Sequence, residues 1–169
     1  MGFETMGKRN VAAYFGPRKT NLKYGGDSCQ DRVQVSSWVF NYNDLPAAST
    51  INLEKSIPAG ATIKAAYMRI LTAFTSTSTT TDLSVGFADK AGTEIDLDGL
   101  ITAAQATQTT IAVVGSIIDG ASGTAGALIG KTIGASAGEL VVTPTVADLL
   151  TGRAEVVVEW MPAFPAQQF

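Results

Sequence analysis

The sequence contains no histidine and only one cysteine, Cys29, among its 169 residues. A lone cysteine excludes an intramolecular disulfide, and the lack of histidine excludes Cys/His zinc clusters and every catalytic triad with a histidine base. No apolar run approaches the roughly 18 residues of a membrane helix, and the start, MGFETMGKRN, lacks the apolar core of a secretory signal. These absences favour a non-enzymatic protein that is made in a cytoplasm and has no membrane partner.

Charge is divided unevenly along the chain. Residues 1–26 carry five basic side chains and one acid, a net of +4, whereas residues 27–169 carry 7 basic and 14 acidic side chains, a net of −7. The stretch YFGPRKTNLKYGG, residues 14–26, mixes basic and aromatic residues with glycine and proline and contains no acid. We therefore predict an extended basic N-terminal arm, residues 1–30, before a folded domain, residues 31–169.

The arm is suited to contact with an acidic protein surface, including that of a sister subunit. Nucleic acid is disfavoured as a partner because the acidic body would repel phosphate. The arm combines cations with aromatic anchors, a combination that is common at protein interfaces. Its candidate partner-binding residues are Tyr14, Phe15, Arg18, Lys19, Lys23 and Tyr24. The alternative is a solvated tail that the protein does not need.

From residue 31 onward, short segments alternate between apolar and polar residues, as β-strands do. We predict strands over residues 32–40, 62–74, 82–89, 110–118, 126–134, 138–146 and 153–162. In the last of these, RAEVVVEWMP, the alternation places Ala154, Val156, Val158 and Trp160 inward and Glu155, Val157 and Glu159 outward. The long strand 62–74 should bulge or change sheet partway, because Lys64 and Arg69 fall on opposite parities.

One helix is predicted over GLITAAQA, residues 99–106, with Asp98 as its N-cap. Short strands at regular spacing with a single small helix indicate an all-β antiparallel sandwich, jelly-roll-like, rather than alternating βαβ units. Pro162 and Pro165 end the last strand as a short tail.

Two segments partly match the sequence motifs of ligand-binding loops. In GALIGKT, only three residues separate Gly126 from Gly130, where a phosphate-binding loop needs four, and no helix can follow in IGASAG. In EIDLDGLITAAQ, Glu94, Asp96 and Asp98 match the first acidic positions of a calcium loop, but Gln105 stands where a bidentate carboxylate is required. They remain a weak metal candidate beside a plain tight turn, and no metal or cofactor is predicted.

Carboxylate pairs and aromatic residues offer two further alternatives. Glu155 and Glu159, or Asp96 and Asp98, could serve glycoside hydrolysis, but the pattern around them points to no cleft. The aromatic residues suited to stacking on a sugar are Trp38, Tyr42, Tyr67 and Trp160, of which Trp160 shares the parity of the inward valines.

Five segments together carry a resemblance: YFGPRKTNLKYGG, WVFNYNDLP, SIPAGATIKAAYMRILTAF, TTDLSVGFADKAGTEIDLDGL and GRAEVVVEW. In overall texture the chain resembles small virion structural proteins of short-tailed, T7-like bacteriophages, namely head decoration (cement) proteins. The resemblance implies a non-enzymatic β-sandwich on the outer capsid surface, commonly a homotrimer, whose extended terminus grips its neighbours. It implies the major capsid protein as a partner and brings no catalytic residues. A tail-fibre, receptor-binding or carbohydrate-binding module is the alternative.

Overall fold

The computed structural model describes residues 33–45, 51–120, 128–145 and 148–163. These residues form eight β-strands, one short α-helix and one 3-10 helix. The strands are β1 (Gln34–Asn41), β2 (Ile51–Ile57), β3 (Thr62–Ser76), β4 (Leu83–Ala88), β5 (Glu94–Ala106), β6 (Ile117–Asp119), β7 (Gly138–Pro144) and β8 (Leu149–Met161). The α-helix, α1, spans Gln108–Ile111, and the 3-10 helix spans Tyr42–Asp44. Neither of these helices has the length and apolar character needed to cross a lipid bilayer.

The strands form two antiparallel four-stranded sheets, in the orders β1-β8-β3-β6 and β2-β7-β4-β5. Strand β1 pairs with β8, β2 with β7, β3 with β6 and β4 with β5, as if one long hairpin had been folded over on itself. The contacts of β8 with β3 and of β7 with β4 then join these pairs into sheets. This is the topology of a jelly roll, in which two sheets enclose one core. The predicted antiparallel sandwich is confirmed.

The core lies between the sheets, and in strands such as β1 it takes alternate residues. From β8, Ala154, Val156 and Val158 have no solvent exposure, as the alternation of this strand predicts. Phe40 and Phe74 meet inside with their ring centroids 6.0 Å apart. Val157 faces outward as predicted, yet it is only 7% exposed. The inward register of β8 is therefore confirmed.

The predicted helix over residues 99–106 is wrong, because these residues form the second half of β5. Leu100 and Ile101 are buried in the core, and Ile101 pairs with Val85 of β4. The alanines of this segment favour a helix only weakly, and strand pairing and burial override such a preference. The tight turn expected around Asp98 is likewise a strand. The α-helix of the described chain follows β5 at Gln108 instead.

Two glycine-rich segments predicted as strands are largely irregular. Residues 110–118 contain the end of α1, a turn at Gly115 with a φ of 82° and only the beginning of β6. In the described part of GALIGKTIG, Gly130 and Gly134 adopt φ angles of 84° and 92°, which interrupt a regular strand. This part still follows β3, because the N–H of Ile63 donates to the carbonyl oxygen of Lys131 at 3.0 Å.

Bulges explain how two further predictions compare with the structure. The predicted bulge in the long strand is confirmed, since the register of β3 against β8 shifts between Ile63 and Ala65. Strand β2 has no counterpart among the predicted strands. Its register against β7 shifts between Leu53 and Ser56, which breaks the alternation that would reveal it.

Candidate assembly surfaces

The outer face of the β1-β8-β3-β6 sheet exposes apolar side chains to water. On β1, Val35 is 63% exposed, and Val39 is exposed on the same face. On β6, at the other edge of the sheet, Ile117 stands opposite Arg69 and is exposed as well. Single exposed apolar residues are normal, but several on one sheet face are typical of a surface that contacts another protein.

Charged side chains lie between these apolar positions. Arg69 on β3 donates from Nη2 to Oε2 of Glu155 on β8 at 2.6 Å. Half of the Arg69 side chain is exposed, so the pair contributes about 1 kcal/mol or less to stability. Glu155 and Glu159, the pair considered for glycoside hydrolysis, share this outer face of β8, and Glu155 is held as an ion-pair partner of Arg69.

The tryptophans belong to the sandwich. Trp38 lies on the inner face of β1 between Ser36 and Phe40, and all three are buried. Trp160 packs against the core, and its Nε1–H donates to Oγ of Ser36 at 3.0 Å, which gives a buried hydroxyl its partner. Of the other aromatic candidates, Tyr42 is 38% exposed and Tyr67 is partly buried.

The connections that follow β1, β3, β5 and β7 lie at one end of the sandwich, where Asn41 of β1 reaches Arg153 of β8. Hydrogen bonds join three of them: the N–H of Gln108 donates to Oδ1 of Asp82 at 3.2 Å, and the N–H of Thr145 donates to the carbonyl oxygen of Asp82 at 2.9 Å. We call this end the loop end; its described residues are 42–45, 77–82, 107–116, Thr145 and Asp148.

The most exposed apolar part of the loop end is the turn after α1. Val113 and Val114 are 56% and 62% exposed. The turn is attached to β3, because the N–H of Gly115 donates to the carbonyl oxygen of Ile70 at 2.9 Å and that of Ile70 donates to Ser116 at 3.0 Å. Two adjacent valines are therefore presented to solvent by a hydrogen-bonded support.

The acidic candidates Glu94, Asp96 and Asp98 occupy alternate positions of β5. Burial raises the pKa of Asp96 to about 6, and a hydrogen bond with the Asp98 side chain and the charges of Asp98 and Glu94 add to the rise. Nowhere in the described chain do three or more Cys, Asp or Glu side chains group as a metal site would require. Asp96 therefore holds its proton at pH values below about 6.

The remaining candidates divide into two sets. The six arm residues lie outside the described residues, and they are Tyr14, Phe15, Arg18, Lys19, Lys23 and Tyr24. In the phosphate-loop-like segment, Lys131 is exposed while Leu128 and Ile133 are buried in the core.

The exposed valines are absent from the sequence-based candidates, although one signal for them exists. In RVQVSSWVF, Val35 and Val39 occupy one parity while Trp38 and Phe40 occupy the other. A strand with apolar residues on both faces needs cover on both faces. No comparable signal marks Val113 and Val114, since AVVGS suits a strand as well as a turn.

Comparison with solved structures finds a similar fold in chains of three phage capsids. No protein-family model matches the chain, and no curated protein matches it significantly. A chain in the capsid asymmetric unit of cyanophage Pam1 superposes with a TM-score of 0.55 and 18% identity, over 81% of this chain and 90% of its own. A chain of the acidic stable capsid of Helicobacter pylori bacteriophage KHP30 gives 0.53 and 18%, over 78% and 89%. A chain of the capsid of Ralstonia phage GP4 gives 0.50 and 18%, over 78% and 86%. At this identity the likeness is one of fold.

Proposed function

We propose that this protein is a non-enzymatic virion component that decorates and stabilises the outer surface of a bacteriophage capsid through protein–protein contacts. The observation that carries the proposal is the likeness of its jelly roll to chains of three phage capsids, each over at least 78% of its length. A fold alone does not define a function. The exposed valines of β1 and of the loop end add independent support, because they give the sandwich apolar surface for partners.

The partners that fit this role are the major capsid protein and further copies of the chain, the latter as a homotrimer. The arm would supply much of the contact, since segments with little apolar content of their own often order only on a partner. Arg18, Lys19 and Lys23 provide its charge. Tyr14, Phe15 and Tyr24 provide apolar anchors, which commonly dominate interface energies together with arginine.

The test is binding to capsids. The full-length protein is added to purified phage heads that lack it, and cryo-electron microscopy locates its density. Decoration predicts density on the outer surface and heads that melt at a higher temperature than undecorated ones. Density inside the shell or at the tail, or no binding at all, would contradict the proposal.

A charge-reversed arm gives the matched control. The full-length triple variant Arg18→Glu, Lys19→Glu, Lys23→Glu should keep the fold, as its circular dichroism would report, and should lose occupancy on heads. Binding of the unmodified chain should weaken between low and high salt, because salt screens exposed charges. Equal occupancy of both proteins at low salt would mean that the arm does not anchor the body.

A further inference from the structure

We infer that the loop end is the docking surface for the basic arm of a second copy of this chain. The occupant is the segment of residues 14–26, and the receiving surface comprises residues 42–45, 77–82, 107–116, Thr145 and Asp148. This inference rests on the proposed role of the arm in assembly, and it adds the surface on which the arm docks.

Charge is the first argument. The described residues of the loop end, 42–45, 77–82, 107–116, Thr145 and Asp148, contain Asp44, Asp82 and Asp148 and no lysine or arginine. At the opposite end, the described residues of the connections after β4 and β6 contain Lys90 and Lys131 and one acid, Asp89. Arg153 of β8, opposite Asn41, adds one exposed cation beside the three acids of the loop end, so acids still outnumber cations where residues 14–26 would dock. Complementary charge favours both encounter and correct register.

Apolar contact is the second argument. The segment 14–26 carries three aromatic side chains that need apolar surface to be anchored. The loop end presents Val113 and Val114, both more than half exposed, and the ring of Tyr42. Because Gly115 and Ser116 are hydrogen-bonded to Ile70, the valines are held in place before binding, which lowers the entropy lost on association.

Connectivity is the third argument. Strand β1 begins at Gln34, opposite Trp160 near the end of β8, so the arm joins the body at the end away from the loop end. Residues 26 and 14 lie 7 and 19 positions before Val33, so an extended chain can bring them at most about 25 Å and about 68 Å from it, compared with a length of roughly 27 Å for β1. A contact from one end of a copy to the other end of the next is heterologous, and such contacts close into rings when the rotation permits.

The experiment is a charge exchange in the full-length protein. Asp148 is exposed, so Asp148→Lys should leave the fold intact, and the arm variant combines Arg18→Glu with Lys19→Glu. Analytical ultracentrifugation over a concentration series measures self-association. Each variant alone should weaken it about fivefold or more, and the combined variant should recover most of the loss, because the opposite charges face each other again. Glu94→Lys, an exposed acid on β5 near the opposite end, is the matched control and should change nothing.

The single cysteine supplies a second readout. Cys29 lies three residues beyond the docking segment and can be labelled with a benzophenone cross-linker. Oligomers mixed from ¹⁴N and ¹⁵N chains should give cross-links between unlike isotopes, and these should map to residues 107–116 or to neighbouring loops. Cross-links confined to single chains, or to the outer sheet face, would overturn the inference.

The outcomes separate this inference from the proposed function. A chain that stays monomeric at all concentrations yet decorates heads overturns the docking site and leaves the virion role standing. If Asp148→Lys reduces occupancy on heads without affecting self-association, the loop end binds capsid protein, and the second copy is not the occupant. Failure of both self-association and head binding would refute both proposals.

Discussion

Strands β1 and β4 both have an apolar inner face, yet water reaches the outer face of β1 and neither face of β4. All six residues of β4 are buried, whereas the burial of β1 alternates residue by residue. Strand β4 lies between β7 and β5, and the backbone of Asp96 and Leu97 in β5 lies against the outward side of Gly86. The outer face of β4, made of Ser84, Gly86 and Ala88, is covered, whereas Val35 and Val39 on the outer face of β1 are open to water. For β4 the chain itself supplies the cover, and for β1 we attribute it to a partner.

The largest effect on stability is expected from a charge placed in the core. Val158→Asp should prevent folding, because an unpaired buried charge costs several kcal/mol and total stabilities are only about 5–15 kcal/mol. Val35→Asp, on the exposed face of β1, should leave the melting temperature of the isolated protein unchanged within a few degrees. Thermal melts followed by circular dichroism measure both. A soluble Val158→Asp protein with an unchanged melt would show that the register of β8 is wrong.

The cover over β4 can be tested at Gly86. A Cβ at this position would overlap the carbonyl oxygen of Asp96, so Gly86→Ala must displace the backbone of β5. We expect a loss of about 1–3 kcal/mol in the free energy of unfolding, as for other overpacked sites, measured by urea denaturation. The neighbouring Ser84→Ala, on the same face, should lose clearly less. Equal losses in the two variants would mean that β5 does not lie tightly against Gly86.

The inner face of β1 depends on one hydrogen bond that can be isolated. Removing the indole N–H in Trp160→Phe leaves the hydroxyl of Ser36 buried without its donor, which should cost about 1–3 kcal/mol. Ser36→Ala removes the acceptor, and the double variant should lose less than the sum of the two single losses. A double-mutant cycle in urea gives the coupling. Strict additivity would show that the two side chains do not interact.

The smallest effect is a pH dependence that originates in β5. Asp96 has a folded pKa of about 6 against an ordinary value of 3.8, so its folded state binds the proton more tightly than the unfolded state does. Its stabilising contribution is complete below pH 3.8 and is lost as the pH rises through about 6. Unmodified protein should therefore lose more stability between pH 4 and pH 6.5 than Asp96→Asn. Parallel pH profiles of the two proteins would contradict the raised pKa.

Sequence pattern predicts the parts of this fold that have one face in the core. A strand such as β8 is recognised by its apolar period of two. The spacing of the glycines alone shows that residues 126–132 do not match a phosphate-binding loop. Periodicity does not predict the second half of β5. Its alanines are compatible with a helix, and the segment is a strand because it pairs with β4. The loop end is hidden for a different reason: its contacts, such as that between Gln108 and Asp82, join residues 26 positions apart. Periodicity carries no information on pairs of this kind.

The pairing of the first described strand with the last has a consequence for the order of folding. The hydrogen bond from Trp160 to Ser36 joins residues 124 positions apart, and every pair along β1 and β8 spans a comparable distance. Closing such a loop is entropically costly, and folds dominated by distant contacts fold slowly. During synthesis β1 leaves the ribosome first but must wait for β8 before it has a neighbour in its sheet. The N-terminal segment before Val33 is thus joined to a strand that gains its neighbour in the sheet only after the C-terminal strand has been made.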